Sequence, residues 1–200
     1  DRKEEGNPFA KGHEYKATAG LDGKVSVTND LTLNFTINPD FGQVEADPSV
    51  VNLTAFESYF PEKRPFFIEG KNIFDYKLTG SDDPRNQLFY SRRIGSAPHY
   101  SPDLIKGEYA KVPEETSILG SFKLSGKTHK GLSIGVLESI TQNEKALIDL
   151  NGNRSKESIE PLSSYFVSRV KQDFQKGDIQ LGGIFTATNR FTEEKQLSFL

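Results

Sequence analysis

The sequence contains no cysteine, methionine or tryptophan among its 200 residues. Without cysteine there is no disulfide framework, no thiolate metal site and no cysteine nucleophile. The longest apolar runs fall far short of the 18 or so residues that a transmembrane helix needs, and no secretory signal peptide is visible. Because the chain begins at Asp1 rather than at methionine, we interpret it as a mature protein or an excised piece of one.

A basic surface is also lacking. The chain has 25 Lys and Arg residues against 28 Asp and Glu residues, which gives a net charge of -3. Binding to nucleic acid depends on neutralising phosphates with clustered cations, and the sequence contains no basic stripe or nucleic-acid-binding motif. The composition therefore excludes nucleic acid as the expected partner.

Aromatic residues are abundant although hydrophobic residues are not. Hydrophobic residues make up 34% of the chain, aromatic residues 11%, and phenylalanine alone occurs 15 times. Disordered chains have few aromatic residues, so this composition indicates a folded protein. The hydrophobic fraction is nevertheless low for a protein with one conventional dry core.

The first patterned region predicts a β-hairpin. Residues 15–27 alternate between apolar or small side chains, such as Leu21 and Val25, and polar side chains such as Lys24. Alternation with period two indicates a strand, because successive side chains of a strand point to opposite faces. Residues 31–37 alternate in the same way after a polar turn. The hairpin is predicted to have one apolar face and one polar face.

The same alternation returns in the second half of the chain. It predicts strands over residues 117–127, 132–136, 163–174 and 179–190 and from residue 196, with a polar excursion at 151–158. Strands joined by tight polar turns form an antiparallel meander. Transmembrane barrels need strands of about 9–11 residues with this alternation. A soluble β-sandwich with one wet face on each sheet explains the pattern equally well.

An irregular segment separates the two patterned halves. Residues 43–113 are rich in proline and in aromatic residues and show no regular alternation. Long irregular segments inside a compact domain are usually functional or disordered, and the aromatic residues here indicate packing against another part of the protein. We predict a linker at residues 1–14 and a β-domain at 15–200 with an irregular insert at about 43–113. If the strands form a barrel, we expect the insert to lie in its lumen.

Charged residues cluster within and just before this insert. They are Asp40, Glu45, Asp47, Glu62, Lys63, Arg64, Glu69, Arg92 and Arg93. Arginine binds carboxylates with two parallel hydrogen bonds, so we expect the three arginines to pair with Asp40, Glu45, Asp47 or Glu69. Such a network would hold an irregular segment inside a polar enclosure. The alternative is a set of unconnected surface charges.

Other chemistries have weaker support in the sequence. A glycosidase would need paired carboxylates, here Asp40 or Glu45 with Glu57, but sequence spacing does not establish their separation. The acidic segment lacks the dense oxygen-ligand pattern of a calcium loop, the three histidines are scattered, and no G-x-S-x-G motif is present. The sequence therefore predicts no enzyme activity, no metal and no cofactor.

Several long motifs resemble those of one protein family. They are LTLNFTINPDFGQVEADPSVVNLTAFESYFPEKRPFFIEG, LFYSRRIG, SILGSFKLSGKT, EPLSSYFVSRVKQDF and GGIFTATNR. The family comprises large Gram-negative outer-membrane proteins that join an N-terminal domain similar to carbohydrate-binding family 9 to a C-terminal β-barrel of unknown function. The resemblance extends from about residue 15 to residue 190.

The resemblance implies that this chain is the beginning of such a barrel domain, located in the outer membrane of a Gram-negative bacterium. The expected fold is all-β, an antiparallel meander that forms part of the barrel. The expected function is that of a channel, a transporter or an envelope-assembly component, with outer-membrane lipid, a glycan ligand and other envelope proteins as partners. The family supplies no catalytic residues to carry over. The alternative is a soluble carbohydrate-binding sandwich whose Phe and Tyr residues stack on sugar rings.

Overall fold

The computed structural model describes residues 7–9, 18–39, 59–79 and 86–192. The strands in these ranges are β1 (Leu21–Ser26), β2 (Leu31–Ile37), β3 (Glu108–Lys111), β4 (Ile118–Lys127), β5 (Leu132–Thr141), β6 (Glu144–Leu150), β7 (Asn153–Glu160), β8 (Leu162–Phe174) and β9 (Ile179–Phe191). Two short helices are present in the insert, α1 (Pro65–Ile68) and α2 (Lys71–Phe74), together with a 3-10 turn at Ser91–Arg93.

Six of the strands form one antiparallel sheet in the order β1-β2-β4-β5-β8-β9. Each strand pairs with the strands that come before and after it among these six, so the predicted all-β antiparallel meander is confirmed. The predicted strands over 31–37, 163–174 and 179–190 correspond closely to β2, β8 and β9. Within the described residues the sheet is open, with β1 and β9 as its edges.

The large sheet is inverted relative to the sheets of water-soluble proteins. In β5, Ser139 and Thr141 are fully buried, whereas Ile140 between them is 41% exposed. The strand register extends this arrangement across the sheet, so one face is open and mostly apolar, although Glu138 and Gln172 also lie on it. The other face is covered and largely polar, with Leu137 and Val167 among its apolar members. The large exposed side chains of the open face are Leu21, Val25, Ile37, Phe122, Ile140, Val170, Phe174, Ile179, Leu181, Phe185 and Phe191.

The insert covers the polar face, and the small core lies between the two. This core consists of Phe67, Phe74, Ile94, Ile118, Leu137 and Val167. Helix α2 packs closely on β5 because Gly135 has no side chain. A Cβ atom at this position would lie 2.8 Å from Ile73 and 2.9 Å from Phe74. The sequence-based prediction that the insert packs through its aromatic residues agrees with this arrangement.

Strands β6 and β7 continue the long hairpin of β5 and β8 beyond the large sheet. They form a three-stranded sheet with β3, in the order β3-β6-β7. The break between β7 and β8 falls at Pro161, which has no N–H to contribute to a strand ladder. The hairpin turns at Asn151 and Gly152, both of which have positive φ.

The prediction of a polar excursion at residues 151–158 is wrong for most of that range, because Asn153–Glu160 is strand β7. The first five residues of β7 are exposed, so no alternation between apolar and polar side chains marks this strand in the sequence. Backbone pairing with β6 holds it instead. The strand predicted to begin at residue 196 lies outside the described residues.

Candidate functional site

A buried ion pair fixes the start of the described part of the insert. Glu62 and Arg64 form a two-point salt bridge, with Arg64 Nε 2.8 Å from Glu62 Oε1 and Arg64 Nη2 2.7 Å from Oε2. The side chains are 2% and 9% exposed, respectively. Prolines at positions 61 and 65 flank the pair and fix φ at those two positions. The local chain is therefore a stiff bend that presents both side chains to the same partner.

That partner is the 3-10 turn at Ser91–Arg93. Arg64 Nη1 donates to the Ile94 carbonyl at 2.6 Å, and Nη2 donates to the Ser91 carbonyl at 2.9 Å. The Ser91 hydroxyl donates to Glu62 Oε2 at 2.5 Å. The Arg64 guanidinium also lies 4.3 Å from the centre of the Phe67 ring. We call Glu62, Arg64 and Ser91 the clasp, since together they join two distant parts of the insert.

The surroundings of Glu62 favour its charged form. Burial by itself would raise the pKa of Glu62, but the hydrogen bonds and charge of Arg64 and the hydrogen bond from Ser91 outweigh burial and lower it. Arg92 adds a second cation, with Nη1 3.8 Å from Glu62 Oε1. Burial lowers the pKa of Arg92, and the charge of Glu115 partly offsets this effect.

A second polar cluster ties α1 to the large sheet. Lys24, Asn34 and Lys123 lie side by side on neighbouring strands β1, β2 and β4. Lys123 is 1% exposed, and its Nζ donates to the backbone carbonyls of Phe66 and Glu69. Asn34 Nδ2 donates to Glu69 Oε2 at 2.7 Å, while Lys24 pairs with Oε1. The hydrogen bond from Lys24 is the main reason that the pKa of Glu69 is lowered.

A cleft of about 530 Å³ lies between the insert and the covered side of β8 and β9. Residues of the insert around the 3-10 turn form one wall, including Arg92 and Arg93, and the two strands form the other. Arg190 of β9 also lines the cleft. Arg92, Arg93 and Arg190 therefore border the same cleft, although Arg190 is almost 100 positions from the other two.

The structure brings together some of the predicted site residues and separates others. Glu62, Arg64 and Arg92 lie together, and Lys63 is exposed with its N–H bonded to Glu62. Arg93 lies at the cleft. Asp40, Glu45 and Asp47, the predicted acidic partners, and Glu57 lie outside the described residues.

Within the described residues, two of the charges have partners that the sequence did not suggest. Arg64 binds Glu62, its neighbour two positions away, and Glu69 binds Lys24 and Asn34 of the sheet. Sequence reasoning did not identify Lys24, Asn34, Lys123, Ser91 or Arg190. The signal for Lys24 and Lys123 was present, since both are cations at polar-face positions of alternating strands, but their partner could not be inferred from local spacing.

The described residues contain no group of three or more His, Asp or Glu side chains arranged to hold a metal ion. Among the described residues, no helix has both the length and the apolar character needed to cross a membrane.

The fold and the site define an antiparallel all-β protein whose polar sheet face is covered by an insert. A buried ion pair joins two parts of the insert, and Lys123 and Glu69 tie the insert to the sheet. Residues 4–193 match the family described as Domain of unknown function (DUF5916), and the chain belongs to that family. No curated protein and no solved structure matches the chain.

Proposed function

We propose that this chain forms part of a β-barrel in the outer membrane of a Gram-negative bacterium, and that its insert is a plug in the lumen. The inverted sheet is the observation that carries the proposal. Exposed apolar side chains occur on all the strands of the open face, including Val25 (52%), Phe122 (43%) and Phe185 (59%). A soluble protein rarely exposes so large a contiguous apolar surface.

Lipid is the occupant that best fits the open face. Strands of transmembrane barrels alternate apolar side chains toward lipid with polar side chains toward the lumen. Strands β4 and β5 have 10 residues each and β8 and β9 have 13, enough to cross a bilayer at the usual tilt with about 9–11 residues. Transfer of apolar surface from water contributes roughly 25 cal/mol per Å². Covering the open face with lipid would therefore lower the free energy of the protein substantially.

The covered face supports the proposal that the insert is a plug in the lumen. Serines, threonines and charged residues line the inside of the sheet, as expected for a barrel lumen. The insert is fastened to that surface by Lys123 and by the contacts of Glu69 with Lys24 and Asn34. On strand β8, Arg169 lies 5.2 Å from the ring of Tyr76. Several separate anchors of this kind are typical of a plug that narrows a pore.

A plugged barrel suits a non-enzymatic role as a channel, a transporter or an envelope-assembly component. In such a role the charges that face the lumen select what passes. Among the charged residues of the predicted network, Glu62 binds Arg64 and also lies 3.8 Å from Arg92. Arg92 and Arg93 both line the cleft beside the sheet. We therefore assign the clasp to holding the plug and the cleft to contact with a solute.

Electrophoresis of the native full-length protein tests the proposal. The protein is extracted with detergent from isolated outer membranes, and boiled and unboiled samples are compared. We expect different migration of the two samples, because a closed barrel keeps its structure in the unboiled one. Equal migration, with the protein recovered in the soluble fraction, would reject the barrel and favour a soluble carbohydrate-binding module.

A further inference from the structure

Three hydroxyl groups form a row across the covered face of the large sheet. Thr36 of β2 lies opposite Ser121 of β4, and Ser121 lies opposite Ser139 of β5. The three residues are 1%, 7% and 0% exposed, respectively. Side chains directly opposite each other on antiparallel strands are about 5 Å apart at Cβ, so the three form one continuous patch. We call Thr36, Ser121 and Ser139 the hydroxyl row.

The hydroxyl row lacks hydrogen bonds. None of its three hydroxyl oxygens has a hydrogen-bond partner in the part of the chain that the structure describes. The same holds for the side-chain oxygen of Asn34, which lies beside Thr36 on the same face of β2. Buried polar groups are nearly always hydrogen-bonded, because losing water without gaining another partner costs free energy. Covering this patch is therefore unfavourable for its polar groups.

The insert lies against the sheet directly beside this row. On β5, Leu137 is two positions from Ser139 and belongs to one core cluster with Phe67 of the insert. On β4, Lys123 is two positions from Ser121 and donates to two backbone carbonyls of the insert. Residues two positions apart on a strand share a face. The insert is thus bonded firmly to the sheet at Lys123, whereas the neighbouring hydroxyls stay unpaired.

We propose that the hydroxyl row is the surface from which the insert separates when the proposed pore opens. The row has no hydrogen bonds in the covered state, and water supplies them in the separated state. This difference in hydration favours separation, whereas the core cluster and the bonds of Lys123 oppose it. An equilibrium between two such states responds to any change that affects one of them more than the other. The inference rests on the proposed function and deepens it, since it names the part of the wall that the moving plug exposes.

Cysteine labelling of the full-length protein in detergent tests the separation. Ser139→Cys nearly keeps the shape of the side chain, and the sequence has no cysteine of its own. We expect a water-soluble methanethiosulfonate reagent to modify Ser139→Cys in the folded protein, at a rate above that of the unsubstituted protein. Ala146→Cys is the control, because Ala146 is also 0% exposed but lies on β6, outside the large sheet. It should react at least about tenfold more slowly.

Two results of the labelling would overturn the proposal. An unreactive Ser139→Cys would mean that the insert stays on the row. Equal rates for Ser139→Cys and Ala146→Cys would mean that unfolding of the whole domain, and not movement of the insert, exposes position 139.

A second substitution connects the rate to the missing hydrogen bonds. Thr36→Val removes an unpaired hydroxyl and keeps the branched shape, so the covered state loses its disadvantage and labelling of Ser139→Cys should become about tenfold slower. Thr116→Val is the matched control. Thr116 is 7% exposed, but its hydroxyl donates to the Ser96 carbonyl at 2.8 Å. Since the same change there removes a hydrogen bond, labelling should be unchanged or faster. A Thr36→Val protein that is labelled as fast as its parent, or equal slowing in both variants, would overturn the proposal.

The labelling and the electrophoresis fail independently. Protein that shows the heat-dependent shift but leaves Ser139→Cys unlabelled keeps the barrel and loses the separation. Conversely, labelling that Thr36→Val slows, in protein that shows no shift, keeps the moving insert and loses the barrel.

Discussion

Glu62 and Arg64, two positions apart in the chain, meet through two hydrogen bonds of 2.8 and 2.7 Å. In extended backbone, side chains two positions apart point to the same side, so this pair forms without a long loop having to close. The pair matters for the stability of the folded protein because both side chains are buried. The pair also fixes the Ser91 and Ile94 carbonyls, which are 27 and 30 positions from Arg64.

Replacing Glu62 with glutamine should destabilise the protein by about 3 kcal/mol, because removing one member of a buried ion pair leaves the other charge uncompensated. The measurement is a urea titration of the full-length protein in detergent, followed by loss of the heat-modifiable band. Lys24→Gln, which breaks the Lys24–Glu69 pair, exposed on both sides, is the control and should cost less than about 1 kcal/mol. Similar losses in the two variants would show that the clasp is not a major contribution to stability.

The clasp also predicts how stability depends on pH. The folded state lowers the pKa of Glu62 below its ordinary value of 4.5. The stabilisation is therefore fully present above about pH 4.5 and is lost as the pH falls through the lower, folded-state pKa. Wild-type protein should lose more stability than Glu62→Gln when the pH falls below 4.5. Parallel pH profiles for the two proteins would remove Glu62 from the groups that control acid unfolding.

Two glycines of the large sheet should respond in opposite ways to the same substitution. Gly135→Val places a side chain where Ile73 and Phe74 approach β5, and we expect a loss of about 1–3 kcal/mol. Gly183 has open space around its Cβ position, so Gly183→Val should be neutral or slightly stabilising, since valine favours strands. Hydrogen exchange of the α2 amides should rise only in Gly135→Val. Unchanged exchange there would place the insert farther from β5 than the structure shows.

An added charge should distinguish the two faces of the sheet. Val170 is 52% exposed on the open face, and arginine at a lipid-facing position costs about 2–4 kcal/mol near the bilayer midplane. We expect Val170→Arg to reduce the folded, heat-modifiable fraction in outer membranes. Gln180→Arg, on the other face of β9, is the matched control and should change stability by less than about 0.5 kcal/mol. If both variants assemble as the wild type does, lipid does not cover the open face.

Much of the fold follows from local patterns, and the exceptions have clear physical reasons. Strands β2, β8 and β9 were predictable because side chains alternate along them with period two. Strand β7 was not, since its first five residues are exposed and only pairing with β6 makes Asn153–Glu160 a strand. The sequence pattern does not report hydrogen bonds between distant strands.

The candidate site was predictable only in part. The charged bend between two prolines pointed to Glu62 and Arg64, and the aromatic run after it pointed to burial. The link from Glu69 to Lys24 spans 45 positions, and the link from Lys123 to Phe66 spans 57. Contacts at such separations depend on the sheet register, which places Lys24, Asn34 and Lys123 in one row. The local sequence around each of these residues does not reveal that they are neighbours in the sheet.

The insert leaves the sheet after β2 and returns at β4, and these two strands are direct neighbours. The Asn38 N–H bonds the Leu119 carbonyl at 2.9 Å, so the two ends of the insert touch. A tight turn could replace the whole segment without altering any strand pairing in the large sheet. The strand order of the large sheet is thus independent of the insert, so the insert can be exchanged or shortened without changing which strands of that sheet are neighbours.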